Sequence, residues 1–185
     1  MAINLQKGQR IGIGLQNVAV GLGWDPNKTT GFDFDLDASA FMLGDNGRLP
    51  ADEFFVFYNN TKSPDGAVES SGDDRTGGNS DGGDDETLTV NLPKVDPRVN
   101  EIIFTATIHE AETRRQNFGQ VRNSYIRIYD ATTGEEIAKY ELDEDFSTQT
   151  AVEFGRLYRR GSEWKFEAMG YGVNGGLPAL VEKYQ

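Results

Sequence analysis

The sequence predicts an all-β protein, a two-sheet β-sandwich with acidic metal-binding loops and a short C-terminal helix, formed by a single domain over residues 1–185. Three observations predict it. Short runs of alternating apolar and polar residues recur at intervals of roughly ten residues, the spacing expected of sandwich strands. Turn residues, chiefly Gly, Asn and Asp, separate these runs. A chain of 185 residues that is 37% hydrophobic can build one core and remove roughly 70% of its unfolded surface from water.

Residues 10–15 and 18–24 read as the first strands, the second with Val18, Val20, Leu22 and Trp24 alternating against Ala19, Gly21 and Gly23. Gly12 and Gly14 do not make a dinucleotide loop, because Asn17 stands where the third glycine belongs and no helical period follows. Residues 32–43 alternate strictly, with Phe34, Leu36, Ala38, Ala40 and Met42 on one face and Asp33, Asp35, Asp37 and Ser39 on the other, a strand with one apolar side. Asp45-Asn46-Gly47 accepts positive φ and turns the chain into residues 53–58 as a hairpin. Residues 87–92 and 101–108 read as strands on either side of a bend marked by Pro93 and Pro97. Residues 124–130 and 136–142 flank Thr132-Thr133-Gly134, and residues 151–159 and 162–171 flank Arg160-Gly161, so each pair reads as a hairpin. Helix is expected only over residues 178–184, with a further turn or two over 110–116.

The charge is uneven. The formal net charge is −12; residues 1–86 carry fifteen acids against six bases, net −9, and residues 87–185 carry fifteen against twelve, net −3. Nucleic-acid affinity comes from Lys and Arg displacing counterions, so nucleic acid is not an expected partner, whereas cations or cation-bridged partners are. The absence of cysteine excludes disulfides, thiolate metal sites and thiol redox chemistry. The first residues lack an apolar signal core and no apolar run approaches the length needed to cross a bilayer, so a cytoplasmic protein without a transmembrane segment is expected.

The most specialised stretch is residues 72–86, GDDRTGGNSDGGDDE, with five Asp, one Glu and five Gly in fifteen residues and Arg75 the only opposing charge. Close carboxylate pairs repel by about 1 kcal/mol even in water, and the glycines add backbone entropy that a fixed loop must lose. A hard divalent cation offsets both, because Ca2+ takes roughly six to eight oxygens and glycines let backbone carbonyls turn inward. The alternative is a solvated acidic linker. Asp35 and Asp37 lie on one strand face about 7 Å apart, able to converge on one cation or to hold neighbouring ones. The spacing of Asp33, Asp35 and Asp37 is not an EF-hand, since Ala38 and Gly44 occupy the positions of its glycine and bidentate Glu. Asp25 and Asn59-Asn60 end other strands and are placed to bring oxygens to the same end of the sandwich.

Catalytic groups are few. The one histidine, His109, lies in HEAETRR, where Thr113 stands in place of a second zinc-binding His, and it reads as a strand-end residue. A Ser-His-Asp triad would rest wholly on it. Within and near the acidic stretch, Arg75 is the only basic residue along the chain available to clamp a phosphate.

Trp24-Asp25, Phe34-Asp35-Leu36-Asp37-Ala38-Ser39-Ala40, Phe57-Tyr58-Asn59-Asn60, Gly72-Asp73, Gly83-Asp84-Asp85-Glu86, Asn117-Phe118-Gly119 and the closing Trp164-Lys165-Phe166 with Gly175-Gly176-Leu177 together resemble the TerD family of tellurium-resistance and general stress proteins, end to end. The resemblance implies a β-sandwich that binds two Ca2+ ions and serves in bacterial stress response as a binding module rather than an enzyme, with other stress and tellurium-resistance proteins as partners. It points to Asp25, Asp35, Asp37, Asn59, Asn60, Asp73, Asp84, Asp85 and Glu86 as metal-binding residues. Two other readings are a metal-dependent phosphoester hydrolase and, by analogy with C2-like sandwiches, a Ca2+-dependent module for anionic lipid, which leaves peripheral membrane association open. Direct reduction of tellurite is not expected, because an acidic end repels an oxyanion and the chain has no thiol.

Overall fold

The computed structural model describes residues 3–26, 30–71, 84–141 and 149–185. Its strands form two six-stranded sheets. The first has the order β1 (Ile3–Asn4), β10 (Glu136–Glu141), β9 (Tyr125–Asp130), β3 (Asn17–Gly23), β7 (Glu86–Asn91), β6 (Val68–Ser70). The second has the order β2 (Arg10–Ile13), β12 (Glu163–Val173), β11 (Ala151–Arg160), β8 (Glu101–Ile108), β4 (Leu36–Leu43), β5 (Phe55–Val56). Every pairing is antiparallel except that of β1 with β10. Among the described residues two α-helices accompany the sheets, the single turn α1 (Ala111–Arg114) and α2 (Gly176–Tyr184). Among the described residues no helix is long and apolar enough to cross a membrane.

The core lies between the sheets and is built by the expected alternation. Val18, Val20 and Leu22 of β3, Leu88 and Val90 of β7 and Ile126 and Ile128 of β9 face Leu36, Ala38, Ala40 and Met42 of β4 and Ile102, Phe104 and Ala106 of β8. Burying each large side chain contributes about 1.5–3 kcal/mol.

Three expectations change. The strand expected from residue 32 begins its pairing at Leu36; before that, the carbonyls of Phe32 and Asp33 accept from Gln116 Nε2 at 3.0 and 3.2 Å instead of a neighbouring strand. Residues 53–58 form a 3-10 turn at Asp52–Phe54 and the two-residue β5, because Asn60 Nδ2 takes the carbonyls of Glu53 and Phe55 at 3.0 and 2.7 Å and draws the chain out of the sheet. Finally, β4 has no bare side; all eight of its residues are buried. Its second face runs from Asp37 and Ser39 into Phe41 and Leu43, which join Phe55, Ile103, Ala151, Leu180 and Tyr184 in a second apolar cluster beneath α2.

Candidate functional site

The described end of the acidic stretch enters β7 through Asp84, Asp85 and Glu86, and these successive side chains go to different places, as alternation along an extended chain requires. Asp84 turns onto the outer face of the first sheet. Arg127 Nε donates to both of its carboxylate oxygens at 2.8 Å, and Tyr125 Oη donates at 3.2 Å. It lies directly over Gly21, where any Cβ would collide with its carboxyl group; Gly23 likewise leaves the room that the Tyr125 ring fills. The pair raises the Arg127 pKa through the hydrogen bond to Asp84, and burial, reinforced by the Asp84 charge, pushes the Tyr125 phenol up to about 12.

Asp85 folds back on β3. Its amide donates to the Leu22 carbonyl and its Oδ2 accepts from the Trp24 amide, both at 2.9 Å. Trp24 in turn donates from Nε1 to the Phe34 carbonyl at 2.8 Å, which ties the end of β3 to the approach of β4 across the sandwich.

Glu86 points inward and reaches the other sheet, accepting the Ala38 amide at 2.7 Å through Oε2. The contact has a topological cause. β5 pairs only with Ala40 and Phe41, so the N-terminal half of β4 presents an unpaired edge on that side, and a backbone N–H there requires an acceptor. The Glu86 carboxylate supplies it.

Asp35, Asp37 and Glu86 are only 6%, 4% and 4% exposed. Asp37 lies on the second face of β4 in a groove of about 820 Å3, walled by Phe55, Phe57, Thr107, His109 and, from α2, Leu177. The Asp35 carbonyl accepts the His109 amide at 2.7 Å. Asp25 is half-buried at the end of β3, with its amide on the Arg122 carbonyl at 2.9 Å and its Oδ2 taking Asn123 Nδ2 at 2.7 Å. Asn60 is engaged in its own turn, and Asn59 is exposed beside it. Asp33 is exposed ahead of β4 and does not join Asp35 and Asp37. Asp73 lies outside the described residues.

The structure therefore places Asp35 just ahead of β4, Asp37 on its second face and Glu86 on the Ala38 amide at its edge, with Asp85 linked to the approach of β4 through Trp24 and Phe34. Among the described residues, no three His, Cys, Asp or Glu side chains gather into a group that could hold a metal ion. The donors are nonetheless hard carboxylate oxygens, the chemistry that suits Ca2+.

The basic residues were the part that chain order concealed. Arg127 lies 43 positions from Asp84 yet pairs with it, and Arg114, Arg115 and Arg122 line the cavity shared with Asp25. Arg75 is thus not the sole cation available at this end. The single histidine stands at the end of β8, half-exposed, edge-on to Tyr58 with 6.5 Å between ring centroids and 3.7 Å from Glu110, as a strand-end residue should be.

The TerD domain family model matches residues 1–184. The chain belongs to the TerD family. It is 48% identical over its whole length to the tellurium resistance protein TerD of Serratia marcescens, covering 97% of that protein, and 47% identical to general stress protein 16U of Bacillus subtilis (strain 168), again over its whole length and 97% of the relative. The TerD fold is also seen in the crystal structure of a homologue of telluride resistance protein (TerD) from Streptomyces coelicolor A3(2), with a TM-score of 0.76 at 24% identity, covering 91% of this chain and 96% of that one.

Proposed function

We propose that this TerD-family protein is a Ca2+-organised binding module of the bacterial stress response, acting in the cytoplasm by presenting a cation-ordered surface to other stress and tellurium-resistance proteins rather than by catalysis. The observation that carries the reading is the burial of Asp35, Asp37 and Glu86 at and beside the N-terminal part of β4, each more than nine-tenths removed from water. Carboxylates already stripped of most of their hydration are costly as solvated charges and well prepared as cation ligands. Asp35, Asp37, Asp85 and Glu86 would hold the ion or ions, with Asp25, Asn59, Asn60 and Asp73 as further oxygen donors. Asp84 would act by fixing the start of β7 through Arg127. A bound Ca2+ would supply positive charge that neutralises this acidic end.

Calorimetric titration of metal-stripped protein with Ca2+ and with Mg2+, followed by thermal melts, tests the proposal. Two equivalents of Ca2+ binding below millimolar, weaker Mg2+ binding and a raised melting temperature are expected; at a hundredfold excess over Kd the ion adds about 2.7 kcal/mol of stability. Glu86→Gln keeps an acceptor for the Ala38 amide and removes the charge, so it should weaken Ca2+ binding at least tenfold and leave the metal-free melt little changed. Absence of both heat and melt shift with either ion would end the proposal.

A further inference from the structure

The connection between β8 and β9 carries an arrangement that the calcium reading does not use. All three non-glycine residues with left-handed φ among the described residues lie in it: Glu110 at 50°, Arg115 at 55° and Asn123 at 53°. Such conformations persist only where the surroundings hold them, and they concentrate at binding sites. Arg115 and Asn123 both wall a cavity of about 790 Å3 that opens beside Asp25.

Three arginines meet there. Arg114 is engaged, with Nε 3.5 Å from Glu110, Nη1 on the Asp33 carbonyl at 3.4 Å and its guanidinium 5.2 Å over the Phe32 ring. Arg115 and Arg122 are exposed, and their side chains have no hydrogen-bond or ion-pair partner among the described residues. Among the described residues the one carboxylate in the wall, Asp25, takes the side-chain amide of Asn123. Gln116 braces the wall from behind. It is 7% exposed, and its Nε2 donates to the carbonyls of Phe32 and Asp33, which holds that wall in place. Phe32, 58% exposed, supplies an apolar wall.

We propose that this cavity binds a small soluble phosphomonoester, with the phosphate dianion between Arg115 and Arg122 and its apolar part against Phe32. Two uncommitted guanidinium groups match a dianion charge for charge, and their planar N–H forks match phosphate oxygens in pairs. The cavity volume is that of a small-molecule site and far exceeds the need of an inorganic ion, so the phosphate carries an organic body. The loop strain has a role in this arrangement, because it directs Arg115 into the cavity from a backbone conformation that no helix or strand would give. The site shares no proposed metal ligand except Asp25, and it does not rest on the calcium reading.

The test is calorimetric titration of the metal-stripped full chain, at low salt, with phenyl phosphate, inorganic phosphate and the monoanion phenyl sulfate, together with sedimentation of vesicles of phosphatidylcholine containing phosphatidic acid. Saturable binding of phenyl phosphate is expected, at least tenfold tighter than either comparison anion. Arg115→Ala and Arg122→Ala, both exposed positions that should leave the melt unchanged, are each expected to weaken it at least tenfold, whereas Arg10→Ala on the distant edge strand should not. The proposal is overturned if phenyl phosphate fails to bind, if it binds the two variants as tightly as the parent, if binding appears only when Ca2+ is added and ignores the arginine substitutions, or if only the phosphatidic acid vesicles are bound.

Discussion

Each sheet of the sandwich holds a carboxylate on its outer face with a cation and a tyrosine together, and the two faces do so by different means. On the second sheet Glu153 is fully buried; Lys183 Nζ donates to its oxygens at 3.2 and 3.0 Å and Tyr184 Oη donates to Oε1, both partners arriving on α2. On the first sheet Asp84 is held by Arg127 and Tyr125 of β9, with no helix above it among the described residues; Arg127 also lies 4.1 Å over Tyr129 and Lys139 lies 4.6 Å over Tyr125. One face is closed by a separate layer and the other by glycines that let an acidic residue lie flat on the sheet. The burial of a charged group is therefore a property of what covers its strand, and alternation along that strand does not contain it.

The largest effect is expected where the covering layer docks. Phe41 stacks on Phe55 with centroids 4.5 Å apart and 9° between planes, and meets Tyr184 at 5.0 Å. Phe41→Ala should cost about 3–5 kcal/mol in urea unfolding, by lost transfer energy and an unfilled cavity. A cost below about 1 kcal/mol would show that α2 adds little and that the second sheet stands as well uncovered, which would remove the contrast between the faces.

The same contrast marks what was legible in the sequence. The alternation of Val18 to Trp24 places the inward residues of β3 correctly, and the hairpin turns at Gly134 and Gly161 fall at glycines with φ of 78° and 67°. These are local signals, resolved within a few residues by periodicity and turn chemistry. The double burial of β4 was not legible, because Asp37 and Ser39 read as a wet face until Leu180 and Tyr184, some 140 positions later, are laid over the rest of it. Within the candidate site, charge density in the sequence points to Asp35, Asp37 and Glu86, yet the reach of Glu86 to Ala38 depends on β5 being two residues long. Arg115 and Arg122 gave no signal, since a lone arginine in a loop looks the same whether it faces solvent or a cavity. A hint was available in Gly21 and Gly23: glycine inside a strand often marks close approach of another group.

That hint supplies the next test. In Gly21→Ala the new methyl group would overlap the Asp84 carboxyl group, which cannot retreat without breaking its paired hydrogen bonds to Arg127. A loss of about 2 kcal/mol is expected, in the range of overpacked sites. The double variant Gly21→Ala with Asp84→Ala should recover part of the loss that the two single changes add up to, because the clash is then absent. Additivity of the two would place the cost of the methyl group elsewhere, in the strand itself.

The smallest effect concerns Tyr125, and it is read as a pH dependence. The phenol is held protonated in the folded state to about pH 12, first by burial and then by the Asp84 charge, whereas an unfolded chain loses that proton near pH 10. Between these values the unfolded state binds fewer protons than the folded one, so stability falls as pH rises. The contribution is fully present below about pH 10 and is lost progressively toward about pH 12. Tyr125→Phe should cost about 1 kcal/mol at pH 7, where it removes one hydrogen bond to a carboxylate, and should flatten the decline above pH 10 relative to the parent. Tyr184 is shifted in the same direction by burial and by Glu153, so part of the slope should survive in Tyr125→Phe and disappear only when Tyr184→Phe is added. If the single variant already abolishes the slope, the tyrosine of α2 does not titrate with folding, and the two faces differ in their electrostatics as well as in their cover.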